Sequence, residues 1–171
     1  SASAADVTDT NAIALDDISV TNTFTLTAGG AMTQVAGKAI TASSLRLLGA
    51  GYATLNNTGN NVANLAAGFS GGDLQYTDTN DFVIANIGGT SGISIGGHNV
   101  TLTSVNGTIT GFSNTTISSA STSLTVSTGT ALTLPQMTIN GAQTYTASTV
   151  SGTGITLTGD ITSNGAGAIT F

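Results

Sequence analysis

The strongest constraint on this chain is a recurrence. "TLTAGGAMT" runs from Thr25 to Thr33, "TLTSVNGTIT" from Thr101 to Thr110 and "TLTGDITSNGAGAIT" from Thr156 to Thr170. In each, an apolar residue sits between two Thr and a break bearing Gly or Asn follows. The same alternation returns at "FTL" from Phe24, "LRL" from Leu45, "FVI" from Phe82, "VTL" from Val100, "LTL" from Leu132 and "MTI" from Met137. A period of two puts the outer residues of each triplet on one face and the middle residue on the other, the pattern of a half-buried strand. The breaks between them fall at Gly29-Gly30, Asn56-Asn57, Gly71-Gly72, Gly88-Gly89, Gly96-Gly97 and Asn106-Gly107. Gly and Asn enter positive φ cheaply, so these read as corners. Pro135, between "LTL" and "MTI", ends one strand and precedes the next without removing a needed donor.

Spacing then selects the architecture. Leu26 and Leu47 lie 21 residues apart, Val100 and Leu124 lie 24 apart, and Leu132 and Ile155 lie 23 apart. Several short strands within a period near twenty mark one coil of a parallel β-helix, whose coils stack at about 4.8 Å with inward Leu, Ile and Val forming ladders. At roughly 21 residues per lap the chain predicts about eight coils and a rod near 40 Å long. Each "TLT" is then part of one lap, with Thr facing water and the apolar residue facing the core. Helix formers are scarce, and the best helical window, Asn61 to Phe69, reads as a strand "VANL" followed by a turn. The alternative architecture is an antiparallel β-sandwich, which has no reason to recur at one coil length. Residues 1–112 carry the regular coils. Residues 113–171 are richer in Ser and Thr and less regular, a continuation of the solenoid or a cap.

Composition fits a thin core with an uncharged surface. Hydrophobic residues make up 39% of the 171, mostly small ones with no Trp, and charged residues only 6%, against about 25% in ordinary soluble domains. Net charge is −6, with Lys38 and Arg46 as the only permanent cations. Nucleic acid, which is held by Lys and Arg neutralising phosphates, is excluded as a partner. No apolar run approaches the roughly 20 residues of a membrane-spanning helix, so membrane insertion is not expected. The absence of Cys removes disulfides, thiol chemistry and cysteine-type zinc sites. The chain opens on Ser1 and closes on "AITF", which reads as a processed product or an excerpt of something longer.

Two stretches, "LTAGGAMTQVAGKAITASSLRLLGAGYATLNNTGNNVANLAA" from Leu26 to Ala67 and "GGTSGISIGGHNVTLTSVNGTITG" from Gly88 to Gly111, resemble the filamentous haemagglutinin type of adhesin exported by Gram-negative bacteria through the two-partner route. The resemblance covers about half the chain. It implies a right-handed parallel β-helix, an extracellular or cell-surface location, and work in attachment or biofilm. Partners would be glycans or proteins on host or neighbouring cells. A second reading keeps the fold and makes the chain a subunit of a surface filament that binds itself through open end coils, with Ile169 and Phe171 at the assembly end.

Catalytic residues are not expected. His98 is the only imidazole, and a His in a turn is ordinarily a surface residue. Solenoid enzymes that cut polysaccharides would draw on the carboxylates Asp73, Asp78 and Asp81, yet two cations in the whole chain leave little to hold an acidic sugar. The same three Asp, with Asn80, form the best candidate calcium site, since hard cations take oxygen ligands. They lack EF-hand spacing, and each also suits a turn. No other cofactor is expected. Asn56, Asn99, Asn106 and Asn114 each begin an Asn-x-Thr sequon and are candidate glycosylation sites. The Thr-x-Thr triplets suggest outward Thr ladders of the kind ice-binding solenoids present. Their uneven intervals predict that the Thr do not align.

Overall fold

In the computed structural model, which describes residues 2–113, 117, 123–148 and 154–171, the chain winds as an all-β solenoid. Among the described residues there is no helix, and none long and apolar enough to cross a membrane. Two long walls carry the coils. The first stacks Ala5–Asp9, Thr23–Ala28, Ile40–Gly49, Asn61–Phe69, Phe82–Ile84 and Ile109–Thr110. The second stacks Ile13–Leu15, Met32–Gln34, Ala53–Leu55, Leu74–Asp78, Asn99–Ser104, Ser123–Thr128, Ala142–Ala147 and Ile169–Thr170. Every neighbouring pair in both walls is parallel. This is the solenoid that the recurrence predicts, and the antiparallel sandwich is excluded.

The register reproduces the spacing argument residue by residue. Leu26 lies opposite Leu47, Val100 opposite Leu124 and Leu132 opposite Ile155. Successive partners in the second wall, from Ile13 to Ile169, are 19, 21, 21, 26, 24, 19 and 26 residues apart. Among the described residues eight second-wall strands are thus separated by seven laps of about 22 residues on average, close to the 21 expected. At about 4.8 Å per lap the second wall is roughly 34 Å long. It continues past residue 113, where Ser123–Thr128 pairs with Asn99–Ser104.

Strands alternate as their sequences dictate. Thr23–Ala28, Asn99–Ser104 and Ser123–Thr128 each alternate half-exposed with buried residues along their full length. Inward residues stack into ladders such as Phe24, Leu45, Leu65 and Ile84 in the first wall and Leu55, Tyr76, Leu102, Val126 and Tyr145 in the second. Each is buried in a narrow core. At about 25 cal/mol per Å² of apolar surface, every Leu or Ile so covered contributes roughly 1.5–3 kcal/mol.

Three local expectations are corrected. Asn61–Phe69 is one nine-residue strand rather than "VANL" and a turn, because two separate segments, Phe82–Ile84 and Ile93–Ser94, pair along it. Among the described residues, Gly88, Gly89 and Gly96 do take positive φ, but Gly29, Gly30, Gly71, Gly72 and Gly107 do not. Close approach explains those corners instead: a Cβ built on Gly71 would run into the Ala50 carbonyl oxygen of the lap before it. One connection is antiparallel. Asn86–Ile87 pairs with Thr90–Ser91 around Gly88 and Gly89, whose φ values of 56° and 86° suit a two-residue hairpin turn with both central residues left-handed.

Candidate functional site

The outward face of the second wall is the most regular surface of the molecule. Ala14, Thr33, Thr54, Gln75, Thr101, Thr125, Thr144 and Thr170 are successive ladder partners and form one column. A second column holds Thr77, Thr103, Ser127 and Thr146. The expected misalignment of the Thr is thus overturned. Extra residues are absorbed between the strands and leave the register within them untouched. Gln75 is the one polar break in the first column.

The three carboxylates proposed for calcium do not converge. Asp73 stands at the corner before its strand, where its Oδ1 accepts from the Asn99 backbone N–H at 2.9 Å and its Oδ2 from Asn99 Nδ2 at 3.1 Å. Asp78, at the other end of that strand, points inward and is fully buried. It accepts from Val62 N–H at 2.9 Å, Asn80 N–H at 2.9 Å and the Tyr76 hydroxyl at 2.6 Å. Asp81 is exposed on the following turn and accepts from Thr108 N–H at 2.7 Å. Alternation around Leu74–Asp78 sends the groups to different sides, and each is committed to a backbone amide of another lap or turn. Among the described residues no group of three or more His, Cys, Asp or Glu is arranged to hold a metal ion.

Asp78 belongs to a buried polar corner that the sequence did not reveal. Ser104 and Thr128 follow it in register and are buried as well. Ser104 Oγ donates to the Asn80 carbonyl at 2.7 Å and accepts from Gly107 N–H at 3.0 Å, while Thr128 Oγ1 donates to the Thr130 carbonyl at 2.8 Å. Burial pushes the Asp78 carboxyl above its ordinary pKa, and its donors oppose that rise. Burial likewise raises the Tyr76 phenol, with the Asp78 charge adding to it. At another corner, buried Asn60 accepts from Gln34 Nε2 at 2.7 Å and Ile40 N–H at 2.9 Å, and donates to the Thr77 carbonyl at 2.9 Å.

The remaining predicted residues are dispersed. His98 is partly exposed, with Nε2 3.1 Å from the Ser70 carbonyl and Nδ1 4.0 Å from Asp73 Oδ1. Asn56 and Asn106 are exposed, Asn99 is half-buried against Asp73, and Asn114 lies outside the described residues. Ile169 pairs with Gln143, and Phe171 is 59% exposed with its ring stacked on Tyr145 at 5.7 Å. Both cations are engaged: Lys38 with Asp16 at 2.8 Å and Asp17 at 3.0 Å, Arg46 Nε with Thr90 Oγ1 at 2.8 Å.

Where Gln75 interrupts the Thr column, a shallow open groove of about 380 Å³ is lined by Tyr52, Thr54, Gly72, Asp73 and Gln75. Of these the sequence singled out only Asp73 as chemistry. Tyr52 was missed, although its place two residues before the outward Thr54 marks it as an aromatic on a solvent face.

Residues 2–67 match a family described as repeats of unknown function, DUF5649. No curated protein and no solved structure matches the chain. The stacked laps and this match together make it a repeat β-solenoid protein.

Proposed function

We propose that this chain is a non-catalytic rod that works outside the cell, at a bacterial surface, in attachment. The observation that carries the reading is the second wall. Its eight strands stack in register, and its outward columns are Thr, Ser, Asn and Gln with small Ala at Ala14 and Ala142, and Asp73 stands at an adjoining corner. A continuous backbone ladder gives stiffness, and a wall of hydroxyls and amides offers many hydrogen-bonding groups without a strong field. The resemblance of Leu26–Ala67 and Gly88–Gly111 to haemagglutinin-type adhesins supports the same reading. A polysaccharide-cutting enzyme needs carboxylates facing one cleft, whereas Asp73, Asp78 and Asp81 are each tied to a backbone amide. That occupation supports the non-catalytic assignment.

Beads coated with the folded chain should be retained on cell layers under flow more strongly than beads coated with the same chain after irreversible heat unfolding. Equal retention sinks the adhesive reading. A second reading, self-assembly through end coils, is favoured by one observation: inward residues Val7, Ile13 and Ile18 at one end, and Ile155, Ile161 and Ile169 at the other, are only partly covered.

A further inference from the structure

We propose that the groove around Tyr52 is a binding site for neutral hexopyranose glycans. This deepens the adhesive reading and rests on it for its biological sense, while the binding itself stands on the groove's own chemistry.

The aromatic residues of this protein are otherwise in the core or on the terminal coil. Phe24, Phe69, Phe82, Phe112, Tyr76 and Tyr145 are buried and Phe171 closes the last coil, whereas Tyr52 stands 44% exposed on the wall. Folding does not ask for an aromatic there, since the register places Ala31 and Asp73 at the corresponding positions of the adjacent laps. Gly72, in the next lap, makes room for it: a Cβ on Gly72 would come 2.8 Å from Tyr52 Cβ and 3.6 Å from its Cγ. The base of the Tyr52 side chain therefore lies across a position with no side chain of its own. An exposed ring with an apolar face and a polar tip is the group that covers the C–H face of a pyranose.

Polar partners for sugar hydroxyls surround it. Ala53 pairs with Leu74 and Thr54 with Gln75, so Tyr52 and Thr54 in one lap stand beside Asp73 and Gln75 in the next, about 4.8 Å away. The Asp73 carboxylate is held by two hydrogen bonds from Asn99 and each oxygen keeps acceptor capacity. Among the described residues the Tyr52 hydroxyl, the Thr54 hydroxyl and the Gln75 amide have no hydrogen-bond partner of their own. The groove thus presents a fixed acceptor pair, an amide that both donates and accepts, two hydroxyls and a ring, a set matched to vicinal diols. Charge selects the class of sugar. Lys38 and Arg46 are occupied elsewhere, so an acidic sugar would face Asp73 with no Lys or Arg to offset it.

The test titrates the isotopically labelled chain with cellohexaose, maltohexaose, mannohexaose and, as the acidic comparison, hexagalacturonate, and follows the amide and Tyr ring signals by NMR. At least one neutral hexasaccharide should bind saturably, shifting Tyr52 and Gln75, and hexagalacturonate should not. Tyr52→Ala and Gln75→Ala should each weaken binding about tenfold or more with the unfolding midpoint unchanged, and Tyr52→Phe should keep most of it. Absence of saturable binding by all the neutral probes overturns the proposal, as does binding that survives Tyr52→Ala. Binding of an oligolysine peptide in place of every sugar also overturns it, in favour of a cationic peptide site at Asp73. Bead retention separates the two levels. Sugar binding without retention removes the adhesive reading and keeps the groove; retention of a wild-type chain that binds none of the neutral sugars removes the groove and keeps the adhesive rod.

Discussion

Asp78 shows how much one residue decides here. Read along the sequence it is one of three nearby carboxylates suited to a cation; in the fold it is the acceptor that satisfies Val62 N–H, Asn80 N–H and the Tyr76 hydroxyl inside a corner. In the unfolded chain its carboxyl ionises near about 3.9, and in the folded chain burial raises that value. Between the two the native state keeps a proton that the unfolded state has released. The stability this group contributes is therefore complete below the unfolded value and is lost as pH rises through the folded one. Tyr76→Phe removes a donor that holds the pKa down, so the window moves further up. At neutral pH it leaves a buried carboxylate short of one bond, and we expect a loss of about 1.5–3 kcal/mol; at pH 3.5, with the group largely neutral, roughly 1 kcal/mol. Urea unfolding of both proteins at the two pH values measures this, and equal losses would falsify the assignment. Tyr76 and Asp78 both read as inward by alternation, but nothing in the sequence indicates that the second of them is buried with a full set of donors, because those donors are backbone amides brought round by other laps.

At the scale of elements, the hairpin explains the first long lap. Ile84 lies opposite Leu65 and Ile93 opposite Ala67. Two steps along the partner strand are thus matched by nine along the chain, and the segment Asn86–Gly92 is an insertion looped out of the coil. Arg46 reaches it from an earlier lap, with its Nε on Thr90 Oγ1. Excising Asn86–Gly92 and joining Ala85 to Ile93 should give a lap of about 19 residues, a length the solenoid already uses. We expect an unchanged β spectrum by circular dichroism and a loss below about 3 kcal/mol, part of it from buried Ile87. Failure to fold would show the hairpin to be part of the lap's structure. The strands themselves were legible, because their alternation of period two and their spacing coincide with the observed register. The hairpin and the alignment of Thr were not. Gly88-Gly89 looks like any other glycine corner, and uneven intervals between triplets conceal that extra residues lie outside the strands.

For the whole molecule, the solenoid's simplicity becomes a liability at its ends. Each inner coil covers the inward side chains of the next, but Ile155, Ile161 and Ile169 are only partly covered and Phe171 is exposed. Among the described residues Ile169–Thr170 is the outermost strand of the parallel ladder, and an outermost strand edge is a template for another strand. Whether the next coil belongs to the same polypeptide or to another copy, the surface it would cover is the same. If copies cover it, the isolated chain should associate end to end as its concentration rises, giving rods longer than the roughly 34 Å of a single copy. Ile169→Asp with Phe171→Asp should abolish this without unfolding the chain, since Phe171 is already 59% exposed and Ile169 sits on the last strand. Sedimentation velocity with electron microscopy of both proteins decides the matter. Ordered rods lost in the double variant support assembly through the end coil, whereas a wild-type chain that stays monomeric at every concentration removes the filament reading and leaves the glycan groove at Tyr52 to carry the adhesive one.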